Sequence, residues 1–515
     1  MRTPPRPTRV LTACRARTAP MTAKHLIGRV ALVGLTTVVG GAVAHAASRF
    51  EPGPCPVSVG QHERVSCGWL VVPERRARPM RREVRLAVAV IHPPAPLANA
   101  DPLLYVTGGP GFASLLVNVP RFLAEPLVTD RDVVLVDLRG TGASLPSLAC
   151  PEVDEGALLA APSRDVTARR RNVREITACR ARLRREGVDL RAYDYAEMAA
   201  DLDDLRRGLG IDSWSVYGIS NGGRLALELV RRYPAGVRSL VLDAALAPQG
   251  NVFLELLPHA RRAFDAFFGA CAADPGCAAA HPDLGARFAA LVERLRDDPV
   301  VVTVLDGGTG APRTVVIDDA VALQALHGGL YDSGLIPFIP ALIEGLSAGS
   351  GLDVLAGPIL EGADPPPAEF SLGQQLSDSC REEVAFFPPG AVRRQARRFP
   401  DLAPLIETTD IEARCRAWRA GRARAIVDRP VRSDIPTLLL VGSLDPIHPR
   451  DSSEAIASHL SRARLFECPG LGHGTVLAHR CPRDLMRAFL TDPERELDAT
   501  CIAGMPGAFG ATPSR

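Results

Sequence analysis

The chain has 515 residues and a mass of 54.9 kDa; 46% hydrophobic and 23% charged residues supply the apolar mass of a packed core, and 45 Gly with 45 Pro fall short of a low-complexity composition. Its 60 basic and 58 acidic residues give a net charge of +2, but residues 1–46 hold seven of the basic residues and none of the acidic ones, so the remainder carries −5 and a basic nucleic-acid-binding body is disfavoured. Lys24 is the only lysine, which excludes a lysine Schiff base, a pyridoxal-phosphate anchor, a phosphate-loop lysine and a Ser-x-x-Lys pair from the body of the protein.

In chain order, the first feature is the apolar stretch Val30–Ala44, preceded by Lys24, His25 and Arg29 and followed by Ala44-His45-Ala46. A basic segment, an apolar core and a small-x-small site spell a secretory signal peptide over residues 1–46. The run is shorter than the ~20 residues that span a bilayer, so no stable membrane insertion is expected after cleavage. A secreted or cell-envelope location follows. Twelve cysteines agree with export. Plausible local pairs are Cys55–Cys67, Cys150–Cys179, Cys271–Cys277, Cys380–Cys415 and Cys481–Cys501, with Cys468 left over, although spacing alone does not fix connectivity.

Strand-like runs follow at Trp69–Val72, Val84–Ile91, Leu103–Val106 and Val133–Val136. Tyr195–Leu209 reads as an amphipathic helix with acids early and arginines late. Ser213–Tyr217 is a strand, Gly223–Tyr233 a helix stopped by Pro234, and Val237–Leu242 a further strand. Thr437–Val441 and Arg464–Phe466 look like strands, and Asp484–Leu490 begins the last helix. Continuous apolar strands alternating with helices predict an α/β fold with a mostly parallel sheet covered on both faces. Residues 244–434 break that rhythm and are too long for a crossover. The expected organisation is an α/β core over 47–243 and 435–515, with 244–434 inserted as a mainly helical lid.

The chemistry centres on Gly218-Ile219-Ser220-Asn221-Gly222, a G-x-S-x-G between a predicted strand and a predicted helix, the context of a nucleophile elbow. Ser220 needs a base, and His473 in Gly472-His473-Gly474 follows the last strand. The acid is best assigned to Asp445, directly after strand Thr437–Val441, giving the chain order Ser, Asp, His. Asp243, at the end of an earlier strand, is the rival acid. The oxyanion donors are expected to be the backbone N–H groups of Asn221 and of Gly109 in Gly108-Gly109-Pro110-Gly111. His448 beside Asp445 offers two metal-type ligands without a third, so neither metal nor cofactor is expected.

These motifs, with Asp137-x-Arg139-Gly140-x-Gly142-x-Ser144 and Cys67-Gly68-Trp69-Leu70-Val71-Val72-Pro73, resemble the prolyl aminopeptidase group of α/β-hydrolase serine peptidases, most of all the secreted tripeptidyl aminopeptidases. The resemblance runs from about Pro54 to Cys501, more loosely over the lid. Asn221 departs from it, since relatives often carry an aromatic residue there, and His448 stands where threonine is common. The resemblance implies removal of short N-terminal peptides or single residues by Ser220, His473 and Asp445. It also implies lid carboxylates that hold the substrate's ammonium, with Asp378, Glu382 and Glu383 as candidates; ordinary solvated acids are the competing reading. A second reading is an esterase or lipase acting on acylated small molecules with the same triad. The expected partner is thus a peptide or small ester, with no nucleic acid, and the protein a monomer.

Overall fold

The computed structural model describes residues 48–58, 63–97, 100–305, 310–350 and 368–510, and the expected signal peptide lies outside them. Strands β1 (Arg49–Gly53), β2 (Val65–Pro73), β3 (Glu83–Ile91), β4 (Leu103–Val106), β5 (Val133–Val136), β6 (Trp214–Ile219), β7 (Val237–Asp243), β10 (Thr437–Gly442) and β11 (Ala463–Cys468) form one sheet. Its order is β1-β2-β3-β5-β4-β6-β7-β10-β11. The β1–β2, β2–β3 and β3–β5 pairs are antiparallel. All pairs from β5 to β11 are parallel. Every residue of β4, β5, β6 and β10 is buried, as strands covered on both faces require. This is the α/β-hydrolase fold that the sequence pattern predicts.

The crossover helices supply that cover. On one face α3 (Tyr195–Gly208) and α4 (Asn221–Arg232) set Met198, Leu202, Leu225 and Leu229 against Leu104, Val216 and Leu439. On the other, α1 (Leu115–Ala124) and the helix Arg480–Thr491 pack Leu115, Val119, Met486 and Phe489 over Tyr105, Leu135 and Leu440. The parallel register places Val106 beside Gly218, and Asp243 beside both Ile219 and Leu440. The carboxyl ends of β4, β6, β7 and β10 therefore converge on one edge, where open α/β sheets bind ligands.

Between β7 and β10 the chain leaves the sheet. This segment contains α5 (Val252–Ala273) and several shorter helices, and also a two-stranded antiparallel hairpin, β8 (Val300–Leu305) with β9 (Pro312–Ile317), that the helical expectation did not include. β-branched residues fill five of the six β8 positions and alternate half-buried with exposed, which suits an edge hairpin rather than a helix. Leu257, Phe264, Phe267, Leu323 and Ile343 form a core within the segment, joined by Leu444 from the loop after β10. A further cluster locks Leu376, Cys380 and Trp418 onto α2 (Val166–Arg185) through Ile176, Cys179 and Leu183. The described residues thus form one compact unit.

Five disulfides join Cys55–Cys67, Cys150–Cys179, Cys271–Cys277, Cys380–Cys415 and Cys481–Cys501, and Cys468 is free and buried. Among the described residues no helix is long and apolar enough to cross a membrane.

Candidate active site

Strand β6 runs straight into helix α4, and the one-residue joint between them is Ser220. Its φ of 56° and ψ of −127° are strained for a residue with a side chain. The surrounding backbone holds it there. A Cβ on Gly218 would lie 2.7 Å from the Gly222 carbonyl oxygen, and one on Gly222 would lie 2.3 Å from that of Val106. Only glycine lets strand, turn and helix come this close. The joint is further pinned by Ser220 N–H donating to the Asp243 carbonyl at 2.9 Å. The G-x-S-x-G segment therefore lies at the strand–helix elbow that the sequence predicts, with the N-terminus of α4 behind the serine.

Ser220 and His473 line the same cavity of about 420 Å³. Behind His473 lies Asp445, fully buried, whose Oδ2 is 2.9 Å from His473 Nδ1. The other carboxylate oxygen accepts the N–H groups of Ile447 and His448, both at 2.9 Å. Burial drives the Asp445 carboxyl upward, but His473 and these amides outweigh it and hold it below its ordinary value. Burial pulls the His473 imidazole down, and the Asp445 charge more than offsets this, leaving it raised. The inserted segment holds His473 in place: His473 N–H donates to the Tyr331 carbonyl at 3.0 Å, and the Tyr331 ring lies 4.8 Å from the imidazole.

Asp243, the rival acid, has other partners. Its carboxylate accepts Thr475 N–H, Thr475 Oγ1–H and Val476 N–H at 2.9 Å each, and Tyr217 Oη–H at 3.0 Å. It thereby ties the turn after His473 to the strands beside the nucleophile. His448 lines the cavity, and burial drives its imidazole down to about 3, so it is neutral. Among the described residues no group of three or more His, Cys, Asp and Glu could hold a metal.

Gly109 and Asn221, the expected oxyanion donors, both line the cavity. Gly108 sits closer to Ser220: a Cβ there would meet Ser220 Cβ at 2.9 Å. The glycine loop feeds α1, whose first amides are capped from a distance by Asp137, which accepts Ser114 N–H at 2.7 Å and Leu115 N–H at 2.9 Å. Two residues on, Arg139 donates twice to Asp201 and once each to the Glu74 and Ala192 carbonyls. Asp137 thus braces the start of α1 after the glycine loop, and Arg139 ties the same turn to Asp201, Glu74 and Ala192.

The opposite wall is acidic. Asp378 ends the helix Leu372–Asp378, and a wide π turn, Ser379–Glu383, follows. That turn changes the angular spacing and puts both Asp378 and Glu383 on the cavity wall. All three candidate carboxylates are buried, so none is an ordinary solvated acid. Glu382 does not line the cavity; its Oε1 accepts Tyr195 N–H at 3.2 Å. Glu383 pairs with Arg224, which also donates to the Pro248 carbonyl at 3.1 Å. Burial raises Asp378 to about 6 and Glu383 to about 7, against the pull of Arg224 on each. The Asn221 side chain joins this wall to the nucleophile: Tyr195 Oη–H donates to its Oδ1 at 2.5 Å, and its Nδ2 lies 3.5 Å from Asp378 Oδ2.

Sequence reasoning passed over Tyr195, Arg224 and Tyr331. Arg224 left one trace, a charge on a helix whose neighbours Leu225, Ala226 and Leu227 are all apolar and buried. The other two are ordinary aromatic residues until the fold brings them to the site.

Comparison with known proteins follows the same lines. Residues 101–302 match the family described as alpha/beta hydrolase fold, and residues 403–501 the one described as TAP-like protein. The chain is 25% identical over 488 residues to serine protease Hip1 of Mycobacterium tuberculosis, covering 89% of this chain and 92% of that protein. Over 459 residues it is 23% identical to the putative hydrolase YuaR of Escherichia coli, covering 84% and 87%. A shorter stretch of 205 residues, 36% of each chain, is 30% identical to a tripeptidyl aminopeptidase of Streptomyces lividans.

Proposed function

The chain belongs to the α/β-hydrolase peptidase family, and from that premise we propose that it is a serine exopeptidase releasing short N-terminal peptides or residues. The observation that carries the exopeptidase reading is the unmatched charge on the acidic wall. Asp378, Glu382 and Glu383 share one buried cation, Arg224, because Arg381 is taken by Asp194. Among the described residues no guanidinium pairs with Asp378, which faces the cavity that Ser220 lines. A buried carboxylate in that state is complementary to an ammonium, and a peptide's free N-terminus supplies one.

With the ammonium at Asp378, the adjoining carbonyls extend toward Ser220. Ser220 Oγ attacks the scissile carbonyl while His473 takes its proton; Asp445 orients the imidazole and stabilises its charged form. The oxyanion meets the N–H groups of Gly109 and Asn221. The C–N bond then breaks, His473 returns the proton to the leaving amine, and the N-terminal fragment stays as an ester on Ser220. Water, activated by His473, hydrolyses that ester. Residues 244–434 act in this reading as the lid that brings the acids over the site. The five disulfides support an oxidising compartment, reached by export through residues 1–46.

The test is a panel of peptide anilides with free and blocked amines beside a short-chain p-nitrophenyl ester. The free amine is expected to lead the blocked one by about a hundredfold in kcat/KM, the size of a charge-assisted contact of about 3 kcal/mol. Ser220→Ala should lower the rate by at least about a thousandfold. Hydrolysis of the ester alone would remove the peptidase reading.

A further inference from the structure

We propose that Arg121 recognises the carboxylate at the departing end of the substrate, so that the preferred substrates are short peptides with both termini free. This rests on the exopeptidase reading and adds to it a second anchor, at the other end of the same cavity. Helix α1 presents Val117, Asn118 and Arg121 to the cavity, at the three- and four-residue spacing of one helix face. Arg121 Nη2 donates to the Leu477 carbonyl at 3.0 Å, which holds the guanidinium beside the helix that follows His473. Among the described residues no carboxylate forms an ion pair with Arg121. Glu125, one turn further on, pairs with Arg483 instead. A guanidinium with N–H groups to spare, at the rim of a cavity, fits the planar, two-oxygen geometry of a carboxylate.

The polarity of the reaction assigns which end goes where. The fragment that acylates Ser220 lies toward Asn221 and Asp378. The leaving amine must lie toward His473, which protonates it. Arg121 and Leu477 are on that His473 side, and Val117 and Leu477 give it an apolar lining. The cavity is therefore negative where the substrate begins and positive where it leaves, with room for an apolar side chain before the cation. A long polypeptide has no carboxylate within reach of Arg121 and loses this contact.

The experiment compares tri-, tetra- and penta-alanine as free acids and as C-terminal amides. In the wild type, the best free acid should exceed its amide by about tenfold in kcat/KM, as expected for one charged hydrogen bond at an exposed position. Because Arg121 is exposed, that ratio should shrink as salt rises. The R121Q substitution should bring acid and amide together, and R121E should reverse their order. Equal rates for acid and amide in the wild type, or a preference that survives in R121Q, would overturn the role of Arg121 while leaving the exopeptidase reading intact. If acids and amides are all inert while the p-nitrophenyl ester turns over, the exopeptidase reading fails and this proposal goes with it.

Discussion

If Asp378 and Glu383 hold the substrate's ammonium as proposed, their titration sets a pH signature for binding. The groups acting on Asp378 are Arg224, Tyr195, Asn221 and Asp194, and Glu383 feels Arg224, Asp378, the Val252 amide and Glu255. Both acids must be ionised to hold an ammonium, and burial raises them to about 6 and about 7. As pH falls through that window they take up protons, so KM for a free-amine peptide should rise. Above about 8 the substrate amine loses its own proton, so KM should rise again. Asp378→Asn should raise KM by about tenfold or more at neutral pH. It should also move the remaining acidic limb downward, because the Asp378 charge helps to raise Glu383. A flat KM between pH 5 and 8 would contradict the ammonium anchor. Gly108 makes a second prediction at this scale. Gly108→Ala sets a methyl against Ser220 and should lower kcat by about a hundredfold, the cost of a displacement near 1 Å, with little change in melting temperature. That Ser220, His473 and Gly109 meet at one cavity with Asp445 behind His473 was legible in the sequence, because glycine spacing and chain order mark these positions. Tyr195, Arg224 and Tyr331 were not, since each acts on a residue distant in sequence.

Among the elements, the disulfides differ in what they restrain. Cys380–Cys415 closes a loop of 35 residues, and Cys380 lies inside the turn that carries Asp378 and Glu383; Cys271–Cys277 closes only 6. Loop-closure entropy assigns about 4 kcal/mol to the first and about 2 kcal/mol to the second. Cys380→Ser with Cys415→Ser should therefore shift the denaturant midpoint more than Cys271→Ser with Cys277→Ser, and only the former should raise KM. Equal shifts with unchanged KM would show that the acidic turn holds its shape without the bridge. The sheet strands could be read from sequence because unbroken apolar runs such as Leu103–Val106 and Val133–Val136 have few other uses. Hairpin β8–β9 escaped because a short apolar run within a helix-rich region does not declare its period. Strand β1 escaped because Arg49-Phe50-Glu51-Pro52-Gly53 has only one large apolar residue.

For the molecule as a whole, the fold class, the site edge and the long excursion after β7 were all visible in the sequence, since they follow from the order of strands and motifs. The cover of that edge was not: how residues 244–434 reach His473 depends on contacts such as Leu330–Tyr331 against Gly472–His473, where a Cβ on Gly472 would lie 2.0 Å from the Leu330 carbonyl oxygen. The same excursion has a consequence for how the chain is made. β10 pairs with β7, yet the chain runs from Asp243 to Thr437 before β10 begins. During synthesis the β7 edge waits unpaired, a state that invites mispairing until the later strands arrive. Ser220 emerges early, but Asp445 and His473, the acid and base of the proposed mechanism, come only with the final strands. In the proposed mechanism a growing chain is therefore latent until the last two strands are made, and hydrolytic capacity arrives with them rather than with Ser220.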